Sequence, residues 1–183
     1  LLHSVANWTP PLHALIATGA LVTGMSNPEV ARALLDLGLP HIRGCVFIDD
    51  DGHKRILLRD GLRVMRLELC GLPLSQRFSF YDQVHTTGMD IKQGASSRAC
   101  LTLGKDMTFR DFSQGAYRMR GIGKGQTILV LAPPEVLALV SRHCAQGSGV
   151  SEAARWRPMR HRRLLMPECL TDELSTTSTV LVV

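Results

Sequence analysis

Aromatic residues make up only 5% of the 183-residue chain, so its interior must be built from aliphatic side chains. No run of eighteen apolar residues occurs, which excludes an apolar membrane-spanning helix. There is no CxxC pair, and the cysteines Cys45, Cys70, Cys100, Cys144 and Cys169 are odd in number and widely spaced. That pattern argues against a disulfide framework or a zinc ribbon and fits a reducing setting, cytoplasmic or nuclear. The seven histidines include no i, i+4 pair with a third ligand nearby, so no metal site is expected. His143 beside Cys144 comes nearest and reads as an accident of a helix end. A phosphate-cradling GxxxxGK[ST] loop is also missing. GIGKGQT around Lys124 imitates one, but it follows a helix and precedes a strand, the reverse of what such a loop needs. The opening LLHSVANWTPPLHAL has neither an initiator Met nor a basic segment with a cleavage site, and the chain is expected to be a piece of a longer protein.

What is present alternates strand and helix signals. HALIATGAL is a short apolar run closed by glycine, fitting a buried strand. Ser26 or Asn27 can then cap a helix with Pro28 in its first turn, and Val30, Ala31, Leu34, Leu35 and Leu37 recur at helical spacing until Gly38 and Pro40 stop it. GCVFIDD follows as a parallel strand, reached by a right-handed crossover. Asp49, Asp50 and Asp51 could hold a cation, but with Gly52 behind them they read as the turn of a hairpin into KRILLR. Leu62 to Leu69, FSFYDQ, RACLTLG and QTILVLA are further strands. Asp106 and Thr108 can cap a helix that carries Phe109, Phe112, Ala116 and Met119 inward, and Glu135 to His143 gives a last short helix. The expected fold is α/β, a mostly parallel sheet with helices on both faces. Residues 1–12 form an N-terminal extension, 13–145 the lobe, and 146–183 a basic linker with a Ser/Thr-rich tail that ends apolar.

The chemistry concentrates between Tyr81 and Gln126. After FSFYDQ, the loop HTTGMDI offers the hydroxyls of Thr86 and Thr87, a flexible Gly88 and the carboxylate of Asp90. This resembles motif V of superfamily-two helicases, a loop that lies between nucleotide and nucleic acid. Gln114 to Gly125, QGAYRMRGIGKG, is similar to motif VI, in which a Gln opens a helical turn and an Arg reaches the γ-phosphate of a nucleotide held by the other lobe. Arg118 falls at the first motif arginine; Gly121 occupies the slot of the second, and Arg120 sits one residue early. One residue turns a helical side chain by about 100°. The second element therefore also reads as a solvated helix end. The resemblance implies a RecA-like second lobe, the kind found in P-loop NTPases, with Thr87, Gly88, Asp90 and Gln114 as nucleotide-binding residues and Arg118 and Arg120 as catalytic ones. ATP with Mg²⁺ would be held only together with a partner lobe, the preceding lobe of the same protein. Both turns are expected at one sheet edge, with Arg118 projecting from it.

Over residues 15–134, the segments LIATGALVTGMSNPEVARALL, GCVFIDDDGHKRILLR, TTGMDIKQ and GKDMTFRDFSQGAYRMRGIGKGQ are similar to the C-terminal region of very large eukaryotic proteins of uncharacterised domain type. These are found in fungi, oomycetes and protists and are catalogued as ubiquitinyl hydrolases. The resemblance implies a thiol-dependent deubiquitinating parent, with ubiquitin conjugates as partners. A thiol nucleophile needs a histidine and an orienting acid. Cys70 with His85 and Asp82 or Asp90 is the nearest trio, and Cys70 reads equally as a strand-end core residue. The third reading is a catalytically inert lobe that serves as a binding or scaffold module. The net charge is +5 and includes RWRPMRHRR at 155–163, a run that could meet nucleic acid and reads alternatively as a solvated tail.

Overall fold

In the computed structural model the described residues are 1–136, 138, 139, 142 and the backbone of 179–182. Of the expected helix at Glu135 to His143, the described residues 135, 136, 138, 139 and 142 are helical; Cys144, Cys169 and the basic run at 155–163 lie outside the described residues.

Seven strands lie between residues 14 and 132: β1 (Ala14–Ile16), β2 (Gly44–Ile48), β3 (Lys54–Leu58), β4 (Val64–Arg66), β5 (Arg77–Tyr81), β6 (Arg98–Thr102) and β7 (Thr127–Ala132). With β8 (Thr179–Val182) they form one sheet in the order β4-β3-β2-β5-β1-β6-β7-β8. The five central strands, β2, β5, β1, β6 and β7, are mutually parallel. Antiparallel pairs flank them: β3 and β4 beyond β2, and β8 beyond β7. The sheet is therefore mixed, parallel in its core and antiparallel at both margins. The Asp49 to Gly52 segment is the hairpin turn between β2 and β3, with Asp49 held by the guanidinium of Arg55 at 2.6 Å and by the His53 amide.

Helices α1 (Leu2–Ala6) and α2 (Asn27–Leu37) cover one face. Ser26 caps α2 through a reciprocal box in which its amide and hydroxyl both donate to Glu29 at 2.7 Å. The buried stripe Val30, Ala31, Leu34 and Leu35 packs with Leu15, Cys45, Phe47, Phe78 and Phe80. Each fully buried leucine here contributes roughly 1.5–3 kcal/mol relative to an exposed one. The guanidinium of Arg59 closes the far end of α2 by donating to the carbonyls of Leu35, Gly38, Leu39 and Ile42. The 1–12 segment is part of this layer: Val5, Ala6 and Leu12 are buried, and Asn7 donates to the Leu37 carbonyl.

The other face carries α3 (Phe109–Ala116) and the long β5–β6 crossover, whose Ile91 is buried with Ile16, Tyr81, Leu101, Met119 and Val130. Thr108 caps α3 in a second reciprocal box with Asp111. The expected inward stripe holds for Phe112, Ala116 and Met119 and fails for Phe109, which is 83% exposed. The helix begins at Phe109 and ends at Ala116. Met119 is thus buried from the following turn, and the first-turn phenylalanine overhangs the layer.

Candidate functional site

Strand order creates the first concavity. The connection after β1 leads to β2 on the β5 side, whereas the connection after β6 leads to β7 on the other side. Loops that diverge in this way leave a crevice outside the carboxyl ends of the strands. It has a volume of about 330 Å³. Thr18, Gly19 and Ala20 enter it after β1, Gln83, Thr86 and Thr87 after β5, and Gly104 to Met107 after β6, with Asp111 and Gln114 contributed by α3. The two loop ends are tied together: the Thr18 hydroxyl donates to the Thr102 carbonyl, and the Gly19 amide donates to Thr102 Oγ1 at 3.1 Å. A Cβ on Gly104 would lie 2.6 Å from the Gly19 carbonyl oxygen, so the two main chains meet only because both residues are glycine.

Thr87 and Gln114, both expected in a nucleotide site, are brought together on this wall, the Thr87 hydroxyl donating to Gln114 Oε1 at 3.0 Å. Asp111, a wall residue, has its carboxyl lowered from the ordinary aspartate value by hydrogen bonds from the Thr108 hydroxyl and amide. Among the described residues Lys105 is the one cation in the lining, against Asp106 and Asp111. Thr18, Gly19, Lys105 and Met107 were not among the residues expected from sequence. The available signal was a glycine two or three residues past the end of each of two core strands, at ATG and at LGK.

Gly88, at φ +82°, turns the chain out of the crevice in a backbone region that favours glycine. Beyond it Asp90, Arg118 and Arg120 line a different concavity, a groove of about 710 Å³ on the α3 face. The expected site residues therefore divide between two places. The two loops also meet along the sheet face and not at one edge: the crossover starts at the carboxyl end of β5, while the turn after α3 finishes at the amino end of β7 beside Ser97. Arg118 does not project. It is 9% exposed, and its guanidinium donates to the carbonyls of Met89 and Gln114, stitching the glycine loop to the end of α3. The reason is local: α3 stops at Ala116, and the turn that buries Met119 draws Arg118 under the loop. Arg120, with its side chain 60% exposed, pairs loosely with Asp90 at 3.4 Å.

The thiol trio is not assembled. His85 Nδ1 and Asp82 Oδ1 are 2.7 Å apart, but Cys70 lines the groove, which His85 does not. Cys45 and Cys100 lie inside β2 and β6, where burial pushes both thiols up, Cys100 to about 12. The carboxylate oxygens of Asp49 and Asp51 and a ring nitrogen of His53 come together at the β2–β3 turn, but Asp49 is already engaged by Arg55 and nothing else there points to an ion. Among the described residues no helix is long and apolar enough to cross a membrane.

The molecule is thus a mixed α/β domain whose polar crevice opens at the point where its strand order reverses. No family model, curated protein or solved structure matches the chain.

Proposed function

We propose that this chain is one half of a nucleotide-binding unit, a RecA-like second lobe whose crevice receives the phosphate-bearing part of a nucleotide such as ATP once a preceding lobe closes over it. The observation that carries the reading is the convergence of three strand-end loops on one crevice at the switch point, with the Thr87–Gln114 pair on its wall and Lys105 beside it. One lysine against two carboxylates does not attract a bare triphosphate, so the chain alone binds weakly and suits a metal-complexed nucleotide. Asp111 is committed to its helix cap, which leaves Asp106 as the carboxylate suited to a phosphate-bound Mg²⁺. Thr87 and Gln114 orient the ligand, and Arg118 positions the Thr87 to Ile91 loop instead of reaching for a γ-phosphate.

That placement of Arg118 favours a second reading, a lobe that binds and does not turn over. An arginine finger correctly placed is worth about 10³–10⁵ in rate, and no arginine lines the crevice among the described residues. In either case the resemblance over residues 15–134 supports reading the unit as part of a large ubiquitin-processing protein, with ubiquitin conjugates as the parent's substrates and its nucleophile elsewhere than Cys70. Amide shift mapping of the chain with Mg-ATP tests the half-site. Binding in the millimolar range, about −4 kcal/mol, should move Thr18 to Ala20, Thr86, Thr87, Gly104 to Met107 and Gln114. The half-site is wrong if these amides stay still at saturating nucleotide or if the shifts map elsewhere.

A further inference from the structure

The larger groove has a character of its own. Lys54, Arg77, Lys92, Arg118 and Arg120 line it against Glu68 and Asp90, a surplus of three positive charges in about 710 Å³. Arg77 and Arg118 form its fixed part. Arg77 donates through Nε and Nη2 to the carbonyls of Leu72 and Cys70, and Arg118 through Nε and Nη1 to those of Gln114 and Met89. Among the described residues each guanidinium keeps a terminal nitrogen without a protein acceptor and forms no ion pair with a carboxylate. Among the described residues Lys54 and Lys92 form no ion pair, and Arg120 has only the exposed contact with Asp90. The wall also holds the amide nitrogen of Gln93, buried beside the Tyr81 hydroxyl and, among the described residues, without an acceptor in full hydrogen-bond geometry, and a buried donor left unpaired is a place where an acceptor belongs.

We propose that this groove is a second binding site, distinct from the crevice, for a small ligand carrying clustered phosphates. Lys92, Arg120 and Lys54 supply mobile charge at the mouth, and Arg77, Arg118 and the Gln93 amide supply fixed donors within. The volume falls in the range of small-molecule sites, about 300–1,000 Å³. Phosphates match the donors, because planar guanidinium groups and an amide can each meet separate oxygens of one multivalent anion. A nucleic-acid strand fits less well: among the described residues no aromatic side chain lines the groove, and strand-binding channels rely on aromatic faces to stack bases.

The test is calorimetric titration of the full chain with inorganic tripolyphosphate. The wild type is compared with the double variant Lys92→Gln/Arg120→Gln, whose positions are exposed and tolerate change, and with the crevice variant Lys105→Gln. Binding is expected to weaken at least tenfold in the double variant, to stay within twofold in Lys105→Gln, and to fall steeply with added salt. Titration with oligothymidylate and with an oligoglutamate peptide should give weaker binding than tripolyphosphate at equal ionic strength. The proposal is overturned if tripolyphosphate does not bind, if Lys105→Gln and not the double variant weakens it, or if either polymer binds more tightly. Because the crevice is read separately through Lys105 and Mg-ATP, failure of one site leaves the other standing.

Discussion

Replacing Arg118 by Met keeps the apolar stem and removes the guanidinium that joins Met89 to Gln114. A hydrogen bond from a charged donor to a backbone carbonyl contributes about 1.5–3 kcal/mol net. The Met89 bond is of this kind, while the Gln114 bond, at 3.3 Å, adds little. Water entering from the groove can replace part of what is lost, which sets the expected destabilisation at about 2 kcal/mol. For a chain of this size each kcal/mol moves the melting temperature by about 2–4 °C, so a drop of roughly 4–8 °C should be seen by calorimetry. Amides of Thr87 to Ile91 should exchange faster than in the wild type, while those of α2 keep their protection. Arg120→Met is the comparison: its pair with Asp90 is more than half exposed on both sides and is worth only a few tenths of a kcal/mol. If Arg118→Met melts with the wild type while abolishing nucleotide turnover in the two-lobe protein, Arg118 is an arginine finger and the positioning role is refuted.

Three further outcomes are expected. Gly104→Ala should destabilise the chain by about 3 kcal/mol or more, because its Cβ meets the main chain of Gly19 and neither strand end can yield; an unchanged denaturation midpoint would contradict the close approach. In the native protein under reducing conditions, a thiol reagent should modify Cys70 well before Cys45 and Cys100, since both of those are buried with thiols pushed up; mass mapping that finds Cys45 or Cys100 labelled as fast as Cys70 would refute that burial. Stability should also depend on pH at both ends. Hydrogen bonds from Ser26, Arg55 and Thr108 lower Glu29, Asp49 and Asp111 respectively, so their contribution is full above about pH 4 and is lost as pH falls through the folded values. Burial raises Tyr81 to about 12, so its contribution holds below about pH 10 and is lost as pH rises from there toward 12; thermal melts across both limbs check the two signs.

The sequence by itself determined the local elements. The Ser26–Pro28–Glu29 cap with its apolar stripe specified α2, the run of three aspartates and a glycine specified the β2–β3 hairpin, and the apolar runs specified the core strands, because caps, turns and periodicity act over a few residues. It also drew attention to Thr87, Gly88, Asp90, Gln114, Arg118 and Arg120, which lie on α3, on the turn that follows it and on the β5–β6 crossover that meets them. Tertiary structure decided what those residues face. Strand order put the switch point between β1 and β6, recruiting Thr18, Gly19 and Lys105 from segments distant in sequence. Termination of α3 at Ala116 drew Arg118 inward and left Phe109 outside, which spacing along an assumed longer helix could not show. The turn at Gly88 sent Thr87 and Asp90 into separate concavities, because a single positive φ reverses the path of the main chain and the sequence shows only the glycine that permits it.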